Sequence, residues 1–240
     1  MAYTTINKGE SYFNTLLYTG NGGSQNITGV GFSPDWVWLK GRNNANNHNL
    51  NDTVRGVNKQ VYADLNNAET TATTHLTAFD SDGFTLGNDG AVNGNSDTYV
   101  SYNWLAGGSA SSNGTGDITS SVSVNTTAGF SIVSYTGNGS ATQTVGHGLG
   151  AVPKLMIFKR RSTSSDWIVY HNKRGATKYI SLNSTGAGSA YEPYFADTEP
   201  TSSVFTVDTA GDINGSGETF IAYCFAEKQG FSKFGIYRGN

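Results

Sequence analysis

The pentapeptide "YTGNG" stands at Tyr18–Gly22 and returns at Tyr135–Gly139, and this recurrence constrains the fold more than any other feature of the chain. The match is longer than five residues: "YTGNGGSQNITGVGF" (18–32) aligns with "YTGNGSATQTVGHGL" (135–149) at an offset of 117. Pro34 then aligns with Pro153, Lys40 with Lys159, and Arg55-Gly56 with Arg174-Gly175, all at an offset of 119. "NG" at 93 and 214, and "TYVSYNW" against "TFIAYCF", agree at 121. The offset drifts only in Gly- and Ser-rich stretches, as loop insertions between duplicated units make it do. A third, incomplete copy, "YRGN", occupies 237–240.

Each copy reads as about seven short strands. In the first they fall near 12–19, 35–41, 48–54, 60–65, 75–79, 83–87 and 98–105. In the second they fall near 130–136, 154–160, 166–172, 178–183, 190–196, 203–208 and 219–226. Composition points the same way. The 31 glycines and abundant Asn supply turns, while aromatic residues at 12% fit pleated, half-buried surfaces. No fifteen-residue stretch carries uninterrupted apolar spacing of helical period. The expected fold is all-β: two tandem β-sandwich domains of jelly-roll or concanavalin-like type, related by internal duplication. The expected boundaries are 1–110 for the first repeat, 111–128 for a Gly/Ser/Thr-rich linker with one short strand near 118–124, and 129–229 for the second repeat. Residues 230–240 are expected to form an orphan strand that begins a third repeat or pairs with a neighbour, with Phe231, Phe234, Ile236 and Tyr237 as assembly residues.

The aligned copies also assign faces. Val100, Tyr102 and Trp104 alternate and align with Ile221, Tyr223 and Phe225, so they are expected to face the core. The opposite face pairs Asn103 with Cys224, the one cysteine of the chain, which reads as a packed thiol rather than a nucleophile. "DWVWLK" and "KLMIFK" are apolar on both faces and are expected to be central strands.

A formal charge of −3 with few clustered cations argues against a nucleic-acid surface. The one basic cluster, Lys159–Arg161, is expected to be a solvated strand end. No eighteen-residue apolar run is present and no apolar leader opens the sequence, so neither membrane insertion nor a signal peptide is expected. No helix or Lys-Ser/Thr follows the Gly-rich repeat, which therefore reads as a turn and not as a phosphate loop. No two histidines have metal-pair spacing, and the glutamates are scattered without a paired-carboxylate pattern. "DSDG" at Asp80–Gly83 lacks the later carboxylates of a calcium loop and reads as a turn. No catalytic, metal or cofactor residues are expected. The one candidate ligand-contact loop is the polar stretch comprising Arg42, Asn43, Asn44, Asn46, Asn47 and His48.

"YTGNG", "GFSPDWVWLKGRN", "NDTVRG", "VGHGLGAVPKLMIFKRR", "DWIVYH" and "YCFAEKQGFSKFGIYRGN" together resemble the tandem β-sandwich repeats of marine bacteriophage structural proteins of the cyanophage and pelagiphage kind. The resemblance spans nearly the whole chain. It implies a non-enzymatic virion surface protein made in the host cytoplasm, a tail fibre or tail-associated adhesion module that presents loops to the host. A capsid decoration or head-fibre protein is the alternative, followed by a lectin or glycan-processing enzyme. The expected partners are other virion proteins and copies of the same chain, a trimer among the forms, and a host-surface glycan. In longer members "FSKFGIY-GN" leads into a further repeat, so the resemblance implies either an N-terminal piece of a longer fibre or a chain whose last strand is left free.

Overall fold

The computed structural model describes residues 4–186 and 188–237. The chain divides into two compact units, Lys8–Ser109 and Ala110–Asn240, with residues 4–7 grouped with the latter. Both are built almost wholly of antiparallel strands.

The first unit runs β1 (Phe13–Thr19), β2 (Gln25–Thr28), β3 (Trp36–Gly41), β4 (Asn49–Asp52), β5 (Lys59–Tyr62), β6 (Thr70–Thr71), β7 (Leu76–Asp80), β8 (Gly83–Leu86), the helical turn α1 (Gly90–Asn93) and β9 (Thr98–Trp104). Its larger sheet has the order β1-β9-β3-β4-β5-β6, and a smaller one the order β2-β8-β7. Val37 and Leu39 of the larger sheet meet Phe84 and Leu86 of the smaller in one core, with Ile27, Leu76 and Val92 around them. Two sheets sharing a core make a sandwich.

The second unit runs β10 (Ser111–Asn113), β11 (Ser120–Asn125), β12 (Phe130–Thr136), β13 (Gln143–Gly146), β14 (Leu155–Arg160), β15 (Ile168–His171), β16 (Lys178–Ser181), β17 (Ser189–Ala190), α2 (Glu192–Phe195), β18 (Val204–Val207), α3 (Gly211–Asn214) and β19 (Thr219–Phe225). Its sheets are β10-β11-β12-β19-β14-β15-β16-β17 and β13-β18. From β12 onward the larger sheet repeats the order of the first unit strand for strand. Its core joins Val133, Met156, Phe158 and Tyr170 to Phe205 and Val207.

The repeated pentapeptide has one structural job, done twice. Tyr18 closes β1, and its hydroxyl donates to the Val92 carbonyl at 2.7 Å; Tyr135 does the same to Ile213 at 2.7 Å. The following turn wraps the side chain of a fully buried asparagine, Asn93 or Asn214. Asn93 Oδ1 accepts from the Asn21 amide at 3.0 Å, and Asn214 Oδ1 from the Asn138 amide at 3.1 Å. Asn93 Nδ2 donates to Gly23 and Gly87 carbonyls at 2.6 and 2.8 Å, and Asn214 Nδ2 to Ser140 at 2.8 Å. Gly22 and Gly139 take φ near +70° and +72°, where a side chain would be strained. A Cβ on Gly20 would stand 2.3 Å from the Gly94 carbonyl oxygen, and one on Gly137 2.5 Å from that of Gly215. The "YTGNG" and "NG" repeats, far apart in sequence, are therefore two halves of one clasp.

"DWVWLK" and "KLMIFK" are central strands: β3 lies between β9 and β4, and β14 between β19 and β15. Four other expectations need correction. Val100, Tyr102 and Trp104 do not face the core; Tyr99, Ser101 and Asn103 do, and all three are fully buried. Their register opposite Leu39 and Val37 fixes this. The polar residues survive there because Asn103 Nδ2 donates to Asn14 O at 3.1 Å and to Ser101 Oγ at 3.0 Å. Apolarity therefore marked the wrong face. The stretch 111–128 holds the expected short strand, as β11, but it is no free linker: β10 and β11 add two strands to the second unit's larger sheet, β11 through the register Ser120↔Tyr135 to Asn125↔Phe130.

The expected strand 190–196 is mainly the helical turn α2, where Tyr194 and Phe195 enter the core. Residues 230–237 form no strand: Gly230 at φ +76° folds the chain back so that Lys228 bridges Ser232. Within that segment the Phe234 ring lies 6.1 Å from that of Phe225, while Ile236 and Tyr237 are 65% and 91% exposed. Residues 238–240, the rest of the incomplete third copy, lie outside the described residues.

Replacing Gly137 by Ala forces the turn off the Gly215 carbonyl and is expected to cost about 1–3 kcal/mol, the usual range for overpacking. Urea unfolding of the variant measures this; an unchanged midpoint would contradict the close approach.

Candidate functional site

The polar loop between β3 and β4 spends most of its side chains on itself. Asn43 Oδ1 accepts from the Thr98 amide at 3.0 Å, and its Nδ2 donates to Asp97 at 3.1 Å. Asn44 Oδ1 accepts from the Asn46 amide at 3.2 Å, and Asn46 Nδ2 donates to Gly90 O at 3.1 Å. The Asn47 carbonyl accepts from Asn49 Nδ2 at 2.9 Å. The His48 amide donates to Asp64 at 3.0 Å. Arg42 is exposed, and its amide donates to Thr98 O at 2.7 Å. The six residues are thus brought together along one rim, with their hydrogen-bonding capacity largely committed to holding its shape.

Beside this rim lies a feature that the reversed face assignment concealed. The outer face of the first unit's larger sheet carries a file of rings crossing three strands. Phe13 and Trp104 centroids are 4.8 Å apart, Trp104 and Trp36 4.4 Å, Trp36 and Trp38 5.9 Å, and Trp38 and His48 5.7 Å. Trp38 Nε1 donates to His48 Nδ1 at 2.9 Å, so the neutral ring carries its proton on Nε2. Burial lowers the His48 pKa, with Lys40 adding to the effect and Asp64 opposing it. On the same face, Tyr102 and Leu17 are 37% and 64% exposed. The register Trp38↔Tyr102 and Leu17↔Val100 puts them on this side. Trp36, at the centre of the file, is fully buried, while Phe13, Trp104 and Trp38 are half-buried; half-buried rings beside exposed Tyr102 and nearby amides are equipment for stacking on sugar faces. The alternation of Trp36 and Trp38 in "DWVWLK" was the available signal, once Val37 and Leu39 are known to face inward.

Elsewhere the ionisable groups serve the scaffold. Asp82 accepts from the Gly29 and Gly31 amides at 3.1 and 2.6 Å, and Asp80 from Asn26 and Thr85 at 3.0 and 2.7 Å, which makes "DSDG" a clamped turn. Arg55 Nε meets Asp52 at 2.5 Å with both side chains buried; its Nη2 donates to Leu50 O at 2.9 Å and its Nη1 lies 3.4 Å from Glu69. His147 is fully buried: the Leu149 amide donates to its Nδ1 at 3.2 Å and its Nε2 faces Thr201 O at 3.2 Å. Burial lowers its pKa and keeps it neutral. His75 Nε2 faces Asp89 at 2.9 Å. The His171 ring accepts from the Lys173 amide at 3.1 Å. Burial pushes the Cys224 thiol up to about 12, against a smaller opposing effect of Ser131, so little thiolate forms. Among the described residues, no group of three or more His, Cys, Asp or Glu side chains is placed to hold a metal ion.

The basic cluster differs from expectation. Lys159 is fully buried, donates to Ser165 O at 2.5 Å and lies 5.9 Å from the Trp167 ring centre. Arg160 donates to Gly211 and Ser164 carbonyls at 3.2 and 2.8 Å, and Arg161 to Ser134 Oγ at 3.2 Å. The cluster straps down the loop after β14 instead of ending in solvent. Lys40, its counterpart, likewise turns back to Gly41 O at 3.0 Å.

A domain family of unknown function, DUF7483, matches residues 8–240. The chain belongs to this family. Searches of curated proteins and of solved structures found no match. No helix among the described residues is long and apolar enough to cross a membrane.

Burial, helped by Arg160, lowers the Lys159 pKa to about 8. Between that value and the ordinary lysine range the unfolded chain binds more protons, so this group makes stability rise with pH from about 8 to 10. Lys159→Met is expected to flatten that rise in melting temperature relative to the parent; parallel pH profiles would exclude it.

Proposed function

We propose that this DUF7483 protein is a non-enzymatic structural component of a bacteriophage virion, a tail fibre or tail-associated adhesion module. In this reading its two sandwiches are copies of one ancestral unit. The resemblance to marine phage repeats supplies the biological class. The aromatic file ending in Trp38 and His48, beside exposed Tyr102 and the amide-rich rim, is the observation that carries adhesion. It offers ring faces and edge amides together, the chemistry that recognises a host-surface glycan. The engagement of the buried acids and histidines in turns and hairpins supports a scaffold reading over a catalytic one.

Capsid decoration is the second reading. The exposed apolar pair Ile236 and Tyr237 favours it, since such side chains suit docking on another virion protein or another copy of the chain.

A panel of host-envelope polysaccharides tests the adhesion reading on the purified chain. Tyr102→Ala and Trp38→Ala are each expected to weaken retention by about five- to tenfold, the effect of losing roughly 1–1.5 kcal/mol of stacking. Cryo-electron microscopy of intact particles is expected to place the density at the tail. Density spread over the capsid shell with no glycan retention would favour decoration instead, and polysaccharide cleavage by the pure protein would overturn both.

A further inference from the structure

The strand orders of the two units match, so their cores can be compared position by position. On the core face of the second unit, Met156 stands opposite Tyr170 and Cys224, and Phe158 opposite Ile168 and Ala222. Tyr179 packs against the same cluster, and these positions are apolar or aromatic; the polar Ser131 of β12 is buried beside them, opposite Cys224. In the first unit the corresponding register sets Val37 opposite Asn51 and Asn103, and Leu39 opposite Asn49 and Ser101. Gln60 alternates with Tyr62, the partner of Asn49, and so shares this face. Asn49, Asn51, Ser101 and Asn103 are fully buried, and Gln60 is 3% exposed. The fold does not demand these polar residues, because the second unit is built without them.

Their hydrogen bonding is one-sided. Asn51 Nδ2 donates to Lys59 O at 2.8 Å, Asn49 Nδ2 to Asn47 O at 2.9 Å, and Asn103 Nδ2 to Asn14 O at 3.1 Å. Each of these three amide nitrogens sits against a main-chain carbonyl, which fixes the orientation of the group, whereas Gln60 Nε2 meets the Tyr62 hydroxyl at 2.5 Å, a partner that can either accept or donate. The carbonyl oxygens of Asn49, Asn51, Asn103 and Gln60 are buried without a hydrogen-bond partner in the protein. Four orphaned acceptors on β9, β4 and β5, with β3 lying between β9 and β4, is a costly arrangement unless something donates to them.

The chemistry selects the donor. An anion is excluded because every orphan is an acceptor. A calcium-like ion calls for carboxylates, and the nearest buried one, Asp52, is committed to Arg55 on the other face. A sugar would need open access, and these atoms have none. Water is small, donates twice and bridges polar groups within cores.

We infer that the first sandwich encloses ordered internal water, at least about two molecules, bridging the carbonyl oxygens of Asn49, Asn51, Gln60 and Asn103. The matching region of the second sandwich is dry. Side chains that the second unit fills with Tyr170 and Tyr179 are replaced in the first by Asn51 and Gln60 plus solvent.

An atomic-resolution crystal structure of the full chain is expected to show water within hydrogen-bond distance of these four oxygens and none among Ile168, Tyr170 and Cys224. Magnetic relaxation dispersion of the water signal counts long-lived internal molecules in solution. Asn49→Ile, which installs the second unit's residue, is expected to lower the count by about one. Oxygens packed directly on protein atoms, a cation at short contact distance, or an unchanged count in a folded variant would overturn the inference. If the variant fails to fold, the density of the parent protein decides.

Discussion

The structure depends on a buried amide that ties the end of one strand to a helical turn some seventy residues further along. Asn93 and Asn214 each sit at the close of a four-residue helix and hold the "YTGNG" or equivalent turn through both amide atoms. A short side chain with one donor group and one acceptor can satisfy several main-chain groups of an irregular turn at once, which an apolar residue cannot do. The turn in turn positions Tyr18 or Tyr135, whose ring stacks on Tyr99 or Phe220 of the neighbouring strand at 5.1 or 5.2 Å. Strand pairing, core packing and the sharp connection between the two sheets are thus set at one point in each sandwich.

Around that shared device the units differ where function has room to act. The second has an apolar core and a buried lysine strap. The first has a partly polar core, an amide-rich rim and an outer file of rings, a distribution that fits a unit whose exposed face meets a ligand. Its acids are kept for turns: Asp35 accepts from the Ala106 and Gly108 amides at 2.8 and 3.2 Å and from Thr53 at 3.0 Å, and burial raises its pKa despite those bonds.

Much of this architecture was legible in the sequence. The repeat offsets located equivalent strands, and the doubly apolar "DWVWLK" and "KLMIFK" marked the centres of the larger sheets. The face of β9 was misread because hydrophobicity was taken to mean inward. In a sheet with rings on one side and Asn103, Ser101 and Tyr99 on the other, hydrogen bonding and register decide, and neither is visible in a single strand. The short strands β2 and β13 were passed over, since "QNIT" and "QTVG" carry too few apolar residues to stand out from turns. The stretch 111–128 looked like a linker for the same compositional reason; its one expected strand is β11, and what composition did not show is that β10 and β11 extend the sheet from the edge of β12. Of the ligand-contact loop, the sequence disclosed the polarity but not its consumption in internal bonds.

The most direct test of the clasp is equilibrium unfolding of Asn93→Ala and Asn214→Ala, each read by hydrogen exchange at the amides of its own turn. Each substitution removes two or more buried hydrogen bonds and leaves main-chain groups without partners, so a loss of about 2–4 kcal/mol is expected. Protection at the Asn21 amide should collapse in the first variant and at the Asn138 amide in the second, since these donate to the deleted side chains. Losses below about 0.5 kcal/mol, with exchange unchanged at both amides, would show that the turns hold themselves and that the asparagines are passengers.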